Sequence, residues 1–317
     1  MEKVIFDTDP GVDDAMALLF LHRHPGIDLV GITTVFGNAD VGTTTRNALF
    51  LAERWGIDAP VARGAASTFD PRRHQGAFPV FIHGENGLGN IDIPADIAAV
   101  PDPRPAHRFI IDTVKASPGE VTLIAVAPLT NLALAIREAP EIAGLVKRVI
   151  LMGGAFAMHG NASPAAEANI HNDPEAADLV FTAAWPVTAI GLDVTTRTVM
   201  TRGELASIAA EGGEALHLLD DLSQFYMDFY RHRVGDGMVV HDTCACVFAV
   251  APELFETRTG TVRVLTEGIA EGKTVLKPDG LRFGPSAWDG HPSQTICTHV
   301  DADAVLALIR KTLLGRV

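Results

Sequence analysis

The chain is poor in cysteine, poor in basic residues and free of long apolar runs. Its 317 residues include three cysteines, Cys244, Cys246 and Cys297. An odd number with no C-x-x-C pair indicates neither a disulfide framework nor a zinc site. Lysine and arginine number 25 against 39 acidic residues, a formal net charge of −14. That balance argues against nucleic acid or an anionic membrane as the main partner and leaves a neutral small substrate open. No apolar stretch approaches the ~18 residues that suggest a membrane span. Met1-Glu2-Lys3 runs straight into the first predicted strand, which leaves no room for a signal peptide, and the expected location is the cytoplasm. No internal repeat, low-complexity tract or linker is visible, so residues 1–317 are read as one domain. With 47% hydrophobic residues, the chain has ample material for a large core.

What the chain does have is concentrated between Val4 and Leu21, VIFDTDPGVDDAMALLFL. Val4, Ile5 and Phe6 suit a strand buried on both faces. Pro10-Gly11 breaks it. Asp13 and Asp14 then fall in the cap or first turn of a helix, where exposed N–H groups and the macrodipole favour carboxylates. With Asp7 and Asp9 this makes four carboxylates in eight residues, more than a cap requires. Two like charges about 4 Å apart repel by about 4 kcal/mol at an effective dielectric of 20. Gathering them calls for a cation or shared protons. The donors are all hard oxygens, with no nearby Cys or His, which favours Ca²⁺ or Mg²⁺.

Further strands are predicted at 28–35, 60–63, 120–127, 146–151 and 186–192, with helices at 41–55, 104–116 and after Pro128. Alternating strand and helix signals predict an α/β fold: an open, mostly parallel, Rossmann-like sheet with helices on both faces. Ligands bind such sheets at the carboxyl ends of the strands. Asn38 follows the second strand, at the same edge as the Asp cluster. Residues 64–103 read as one long irregular region, a length that is usually functional, and contain His83-Gly84-Glu85-Asn86-Gly87-Leu88-Gly89. Thr130 or Asn131 is expected to cap the helix after Pro128. The polar loop Asn161 to Asp173 offers Asn161, Glu167 and Asn169, side chains that supply the fixed donors and acceptors a sugar needs. Asp173-Pro174 suits a helix start. Asp193, at another strand exit, is read as structural. Helices are predicted at 202–210 and 214–231. The second carries Phe225, Tyr226, Phe229 and Tyr230, a stripe read as core with one ring able to flank a ligand. Residues 235–240 read as a loop. His241-Asp242 precedes an apolar helix at 243–251, in which Cys244 and Cys246 serve as small buried residues. A hairpin at 259–282 and a helix at 301–314 close the chain, with Trp288 unassigned.

Taken together, these segments resemble the inosine-uridine-preferring nucleoside hydrolases. The match covers Asp7-Thr8-Asp9-Pro10-Gly11-Val12-Asp13-Asp14, the His83 segment, Leu129-Thr130-Asn131, the Asn161/Glu167/Asn169 spacing and His241-Asp242, in order. The resemblance implies calcium-dependent hydrolysis of the N-ribosidic bond of small ribonucleosides, a role in nucleoside salvage, and a homodimer or homotetramer. It implies that Asp9, Asp14, Asp242 and the main-chain carbonyl of Val126, where the family often has Thr, hold the Ca²⁺. Asp9 would act as general base, with Asn38 orienting the water and Asp7 supporting the set. Asp13, Asn161, Glu167 and Asn169 would grip the ribose, and His83 would reach toward the substrate. His241 would protonate or hydrogen-bond the departing base, as the side chain titrating nearest neutrality. Pyrimidine-selective relatives carry polar side chains before the His-Asp pair, where this chain aligns Phe229 and Arg233, so base preference stays open.

Two other readings remain. A strand followed by D-x-D also opens haloacid-dehalogenase-like phosphohydrolases, but Gly11 stands where those need Thr or Val. A non-catalytic ribose-binding relative is the other, and the complete residue set argues against it.

Overall fold

The apolar run near the start of the chain becomes β1 (Glu2–Thr8), whose Val4, Ile5 and Phe6 have no exposed surface. The computed structural model describes residues 1–73 and 76–317. After β1 come α1 (Val12–Arg23), β2 (Ile27–Thr34), α2 (Val41–Trp55) and β3 (Val61–Arg63). The region expected to be irregular contains one short helix, α3 (Val80–His83), and its residues 74 and 75 lie outside the described ones. There follow α4 (Ala106–Ala116), β4 (Val121–Ala125), α5 (Thr130–Glu138), β5 (Arg148–Met152), α6 (Ala168–Asn172), α7 (Pro174–Thr182), β6 (Val187–Ile190) and α8 (Leu192–Thr195). The chain continues through β7 (Val199–Thr201), α9 (Arg202–Gly212), α10 (Glu214–Val234), β8 (Gly237–Val239) and α11 (His241–Val250). It ends with β9 (Phe255–Val264), β10 (Thr274–Pro278), β11 (Gln294–Val300) and α12 (Ala302–Leu313).

Nine strands form one sheet in the order β10-β9-β11-β6-β5-β4-β1-β2-β3. Pairing is parallel from β11 to β3, and β9 runs antiparallel to both its neighbours. Side chains alternate between the two faces, as strand geometry requires. Val4 and Phe6 enter one buried cluster with residues of α1, α2, α10, α11 and α12, while Ile5 enters another with residues of α4, α5 and α7. Burying each such side chain contributes about 1.5–3 kcal/mol. Beside β1 the strand order reverses: β2 and β3 lie on one side, β4, β5 and β6 on the other. The crevice beyond the carboxyl ends of β1 and β4 is thus the topological switch point where open α/β sheets take ligands.

Two expectations need correction. Neither Thr130 nor Asn131 caps α5, whose N-cap position is Leu129. The Thr130 hydroxyl donates instead to Asp173 at 2.6 Å, and the Asn131 amide donates to Asp7 at 2.7 Å and to the Thr34 carbonyl at 3.0 Å. Tertiary acceptors outcompete the local cap. The stretch before His241 is not all loop, because β8 pairs antiparallel with β7 in a separate two-stranded sheet. No strand is predicted over β11, which is held between β6 and β9. Cys244 and Cys246 are buried in α11 as expected, and all three cysteines are free. Among the described residues, no helix is long and apolar enough to cross a membrane.

Candidate active site

Pro10 and Gly11 end β1, so Asp13 and Asp14 fall in the first turn of α1. Asp242 falls in the first turn of α11. Two helix N-termini, each favouring negative charge, therefore converge. One carboxylate oxygen from each of Asp13, Asp14 and Asp242 lies within 4.8 Å of the others, and all three residues are buried. Asp14 accepts from the Thr8 hydroxyl and from the Gly11 N–H at 3.0 Å. Asn38 braces the group: its backbone N–H meets Asp9 Oδ2 at 2.7 Å, and its amide reaches the Asp9 carbonyl at 3.2 Å and Asp14 Oδ2 at 3.0 Å. This close approach requires glycine beside it, since a Cβ on Gly37 would sit inside the Asp9 carboxylate. Behind Asp9, the Thr33 hydroxyl (2.6 Å) and the Asn131 amide (2.7 Å) hold Asp7 Oδ1.

Burial pushes the Asp9 and Asp242 carboxyls well above the ordinary carboxylate range, and neighbouring carboxylates push them further. Burial followed by repulsion from Asp14 lifts Asp13 to about 7, and burial also raises Asp14. Among the described residues, Asp9 Oδ1 is buried without a hydrogen-bond partner. Mutually repelling carboxylates around an orphan oxygen fit a bound cation, and an all-oxygen donor set fits a hard divalent one. Asp13 thus sits in the cluster beside Asp14 and Asp242, with Asp9 adjoining through Asn38. The Val126 carbonyl, just beyond β4, borders the same cavity and accepts from the Asn169 amide at 3.0 Å.

The cavity measures about 400 Å³, within the usual range for small-molecule sites. One wall is the loop entering α6. Glu167 is the N-cap of α6, and its carboxylate takes N–H groups from Asn169 (2.8 Å), Gly154 (3.0 Å) and Ile170 (3.1 Å). Burial raises its pKa. The Asn169 amide nitrogen is spent on the Val126 and Met152 carbonyls, which leaves its Oδ1 to accept. Asn161 accepts from Ala168 N–H at 2.9 Å, which leaves its amide N–H groups to donate. Asp13, Asn38 and Asp242 also line the space.

At the other end, α10 presents Tyr226, Phe229, Tyr230 and Arg233 to the cavity, positions three, four and seven apart that share one helix face. The stripe does both jobs: Tyr226 and Tyr230 are buried in the core as read, Phe229 packs against it, and all three also line the cavity, more than the one ring expected, while Phe225 lies off the lining. The signal available was scarcity: the chain has only two tyrosines, four apart on this helix. The Tyr226 hydroxyl donates to Asp13 Oδ2 at 3.1 Å. The Tyr230 hydroxyl lies 3.0 Å from His241 Nε2, while His241 Nδ1 lies 2.8 Å from the Thr195 hydroxyl. His241 does not titrate near neutrality, because burial lowers it to about 4. It is a neutral hydrogen-bonding ring, not a stored proton. His83 is likewise buried, accepts from Val12 N–H at 3.3 Å and packs 5.1 Å from the Tyr226 ring.

The structure thus gathers Asp9, Asp13, Asp14, Asn38, His83, Val126, Asn161, Glu167, Asn169, His241 and Asp242 at one strand edge. It adds His171 and Asn172 of α6, which also line the cavity. Trp288 is half-buried and outside the lining. Asp193 is structural as read: its carboxylate accepts from Phe156 and Ala157 N–H at 2.8 and 2.7 Å.

The sequence pattern of one family, described as inosine-uridine preferring nucleoside hydrolase, matches residues 4–307. A probable uridine nucleosidase 2 of Oryza sativa is 40% identical over 99% of this chain and 94% of its own length. The pyrimidine-specific ribonucleoside hydrolase RihB of Escherichia coli is 36% identical over 99% of this chain and 98% of its own. Among solved structures, a purine-preferring ribonucleoside hydrolase from Gardnerella vaginalis superposes with a TM-score of 0.90 at 33% identity, covering 99% of each chain.

Proposed function

The chain belongs to the inosine-uridine preferring nucleoside hydrolase family and hydrolyses ribonucleosides to ribose and free base, and from that premise we propose how its residues divide the work and that the cation they hold is Ca²⁺. The observation that carries this reading is the meeting of three buried carboxylates, Asp13, Asp14 and Asp242, with a polar wall of Asn161, Glu167 and Asn169 in one cavity.

Asp9, Asp14, Asp242 and the Val126 carbonyl are the oxygens that would hold the cation. Carboxylates from separate elements plus a main-chain oxygen suit the irregular, many-oxygen shell of Ca²⁺ better than the strict octahedron of Mg²⁺. Such an ion would neutralise the cluster and lower the pKa of a neighbouring water. Asp9 Oδ1, buried and without a partner, takes the proton of the attacking water. Asn38 keeps the Asp9 and Asp14 carboxylates apart and oriented. Tyr226 turns Asp13, which with Asn161, Glu167 and Asn169 grips the ribose hydroxyls. That grip fixes the anomeric carbon and favours the flattened, oxocarbenium-like sugar of the transition state. Neutral His241, oriented by Thr195, offers a hydrogen bond to the departing base at the place now taken by the Tyr230 hydroxyl. A homodimer or homotetramer is the expected assembly, to be read by light scattering.

The test is release of free ribose from inosine, adenosine, guanosine, uridine and cytidine, before and after EDTA treatment and calcium restoration. Release that is lost with EDTA and regained with Ca²⁺ supports both ion and reaction. Full release in EDTA overturns the ion assignment.

A further inference from the structure

The geometry points to Arg233 as the residue that sorts nucleosides by the exocyclic group of their base, favouring a keto oxygen over an amino group. This rests on the proposed placement of the base beside His241. Among the residues lining the cavity, His241 Nε2 lies 3.0 Å from the Tyr230 hydroxyl, and the Tyr230 ring meets Phe229 edge-on at 5.1 Å. Arg233 closes that line, its guanidinium 4.7 Å from the Phe229 ring centroid, and it borders the cavity. Among the described residues its guanidinium makes no hydrogen bond or ion pair, and stacks on Phe229. The acids nearest in sequence are taken: Asp228 (2.7 Å) and Asp236 (3.0 Å) both pair with Arg202. The charge of Arg233 is close enough to oppose the upward shift of the Tyr230 hydroxyl.

A base attached at the His241 end points its far edge along the rings toward the mouth. There uracil and hypoxanthine carry a carbonyl oxygen, and cytosine and adenine carry an amino group. Guanidinium has donors only and keeps its charge throughout the working range. Against a carbonyl it makes a charge-assisted hydrogen bond, whereas against an amino group two donors face each other unpaired. Selection is the difference between the two.

The experiment compares kcat/KM for uridine and cytidine, and for inosine and adenosine, in the wild-type protein, Arg233→Met and Arg233→Lys. Each variant is read against wild type, which cancels the intrinsic leaving-group difference. In Arg233→Met both keto-to-amino ratios should fall about tenfold, the size of one charge-assisted hydrogen bond. In Arg233→Lys they should fall less, since the charge survives. If keto and amino substrates weaken equally in Arg233→Met, the residue merely shapes the mouth and the inference fails. It also fails if wild type favours the amino partner of either pair once the intrinsic reactivity of the two is divided out. If wild type releases no ribose from any of the four, it is the proposed function that has failed.

Discussion

The two ends of the cavity are built differently. At the acidic end, Asp9, Asp14 and Asp242 sit on a strand exit and on two helix first turns, and Asp9 and Asp14 are braced by neighbours within 2.7–3.2 Å. At the other end, Phe229 is half-buried, Arg233 is exposed, and Phe81 of α3 is 65% exposed beside the Phe229 ring. The first end rests on the sheet, and the second rests on one helix face and a loop. Bond cleavage tolerates little misplacement, so it belongs on the scaffold, while substrate choice can be carried by mobile, exposed parts.

The largest effect should come from stripping the acidic end of its ion. EDTA should abolish ribose release, and Ca²⁺ should restore it. The same treatment should also change stability. In the ion-free protein, the folded Asp7 and Asp13 carboxyls titrate at about 7 instead of 3.8. The folded state then binds more protons than the unfolded one, so stability falls as pH rises across that window. Thermal melts from pH 4 to 8 should show Tm falling with pH in EDTA and a flatter profile with Ca²⁺. A flat profile in EDTA would mean these carboxyls are not strained.

Next in size is Asp9→Ala, which should lower kcat by about 10²–10⁴-fold while circular dichroism stays native. Wild-type turnover in that variant would remove Asp9 from the base role. His241→Ala lies at the junction of the two ends. It should cost about 10²-fold on natural nucleosides and much less on p-nitrophenyl riboside, whose leaving group needs no help. Equal losses on the two would argue that His241 positions the ribose instead. The smallest effect belongs to the open end: Phe229→Ala should raise KM several-fold and alter kcat less, as removal of uniform binding does. A kcat collapse there would erase the distinction between the ends.

The acidic end was largely legible in the sequence, because its parts are local. Strand, breaker and helix start occur within residues 4–14, and the helix predicted at 41–55 is α2 itself. The open end was not legible in the same way. A helical stripe of Phe and Tyr has the same spacing whether it meets core or cavity, and only the docking of α10 decides. The Tyr226 hydroxyl finds Asp13 across 213 residues of sequence, and no local pattern encodes such a pair. The neutral state of His241 also depends on burial that the sequence does not display. Thr130 and Asn131 failed as caps for a related reason, since their better partners, Asp173 and Asp7, belong to other elements.

The convergence of α1 and α11 has a consequence for how the protein is made. The acids of α1 emerge early in synthesis, and Asp242 comes only after most of the sheet has been translated. Closing so long a loop costs little more entropy than closing one of half the length, but it cannot happen early. A divalent ion held between the two helices binds the finished fold and not its fragments, so it stabilises only completed molecules. In a chain whose three cysteines are buried and free, the proposed ion would link α1 to α11, two helices far apart in the sequence. Calcium supply would then set how long the enzyme survives as well as how fast it works.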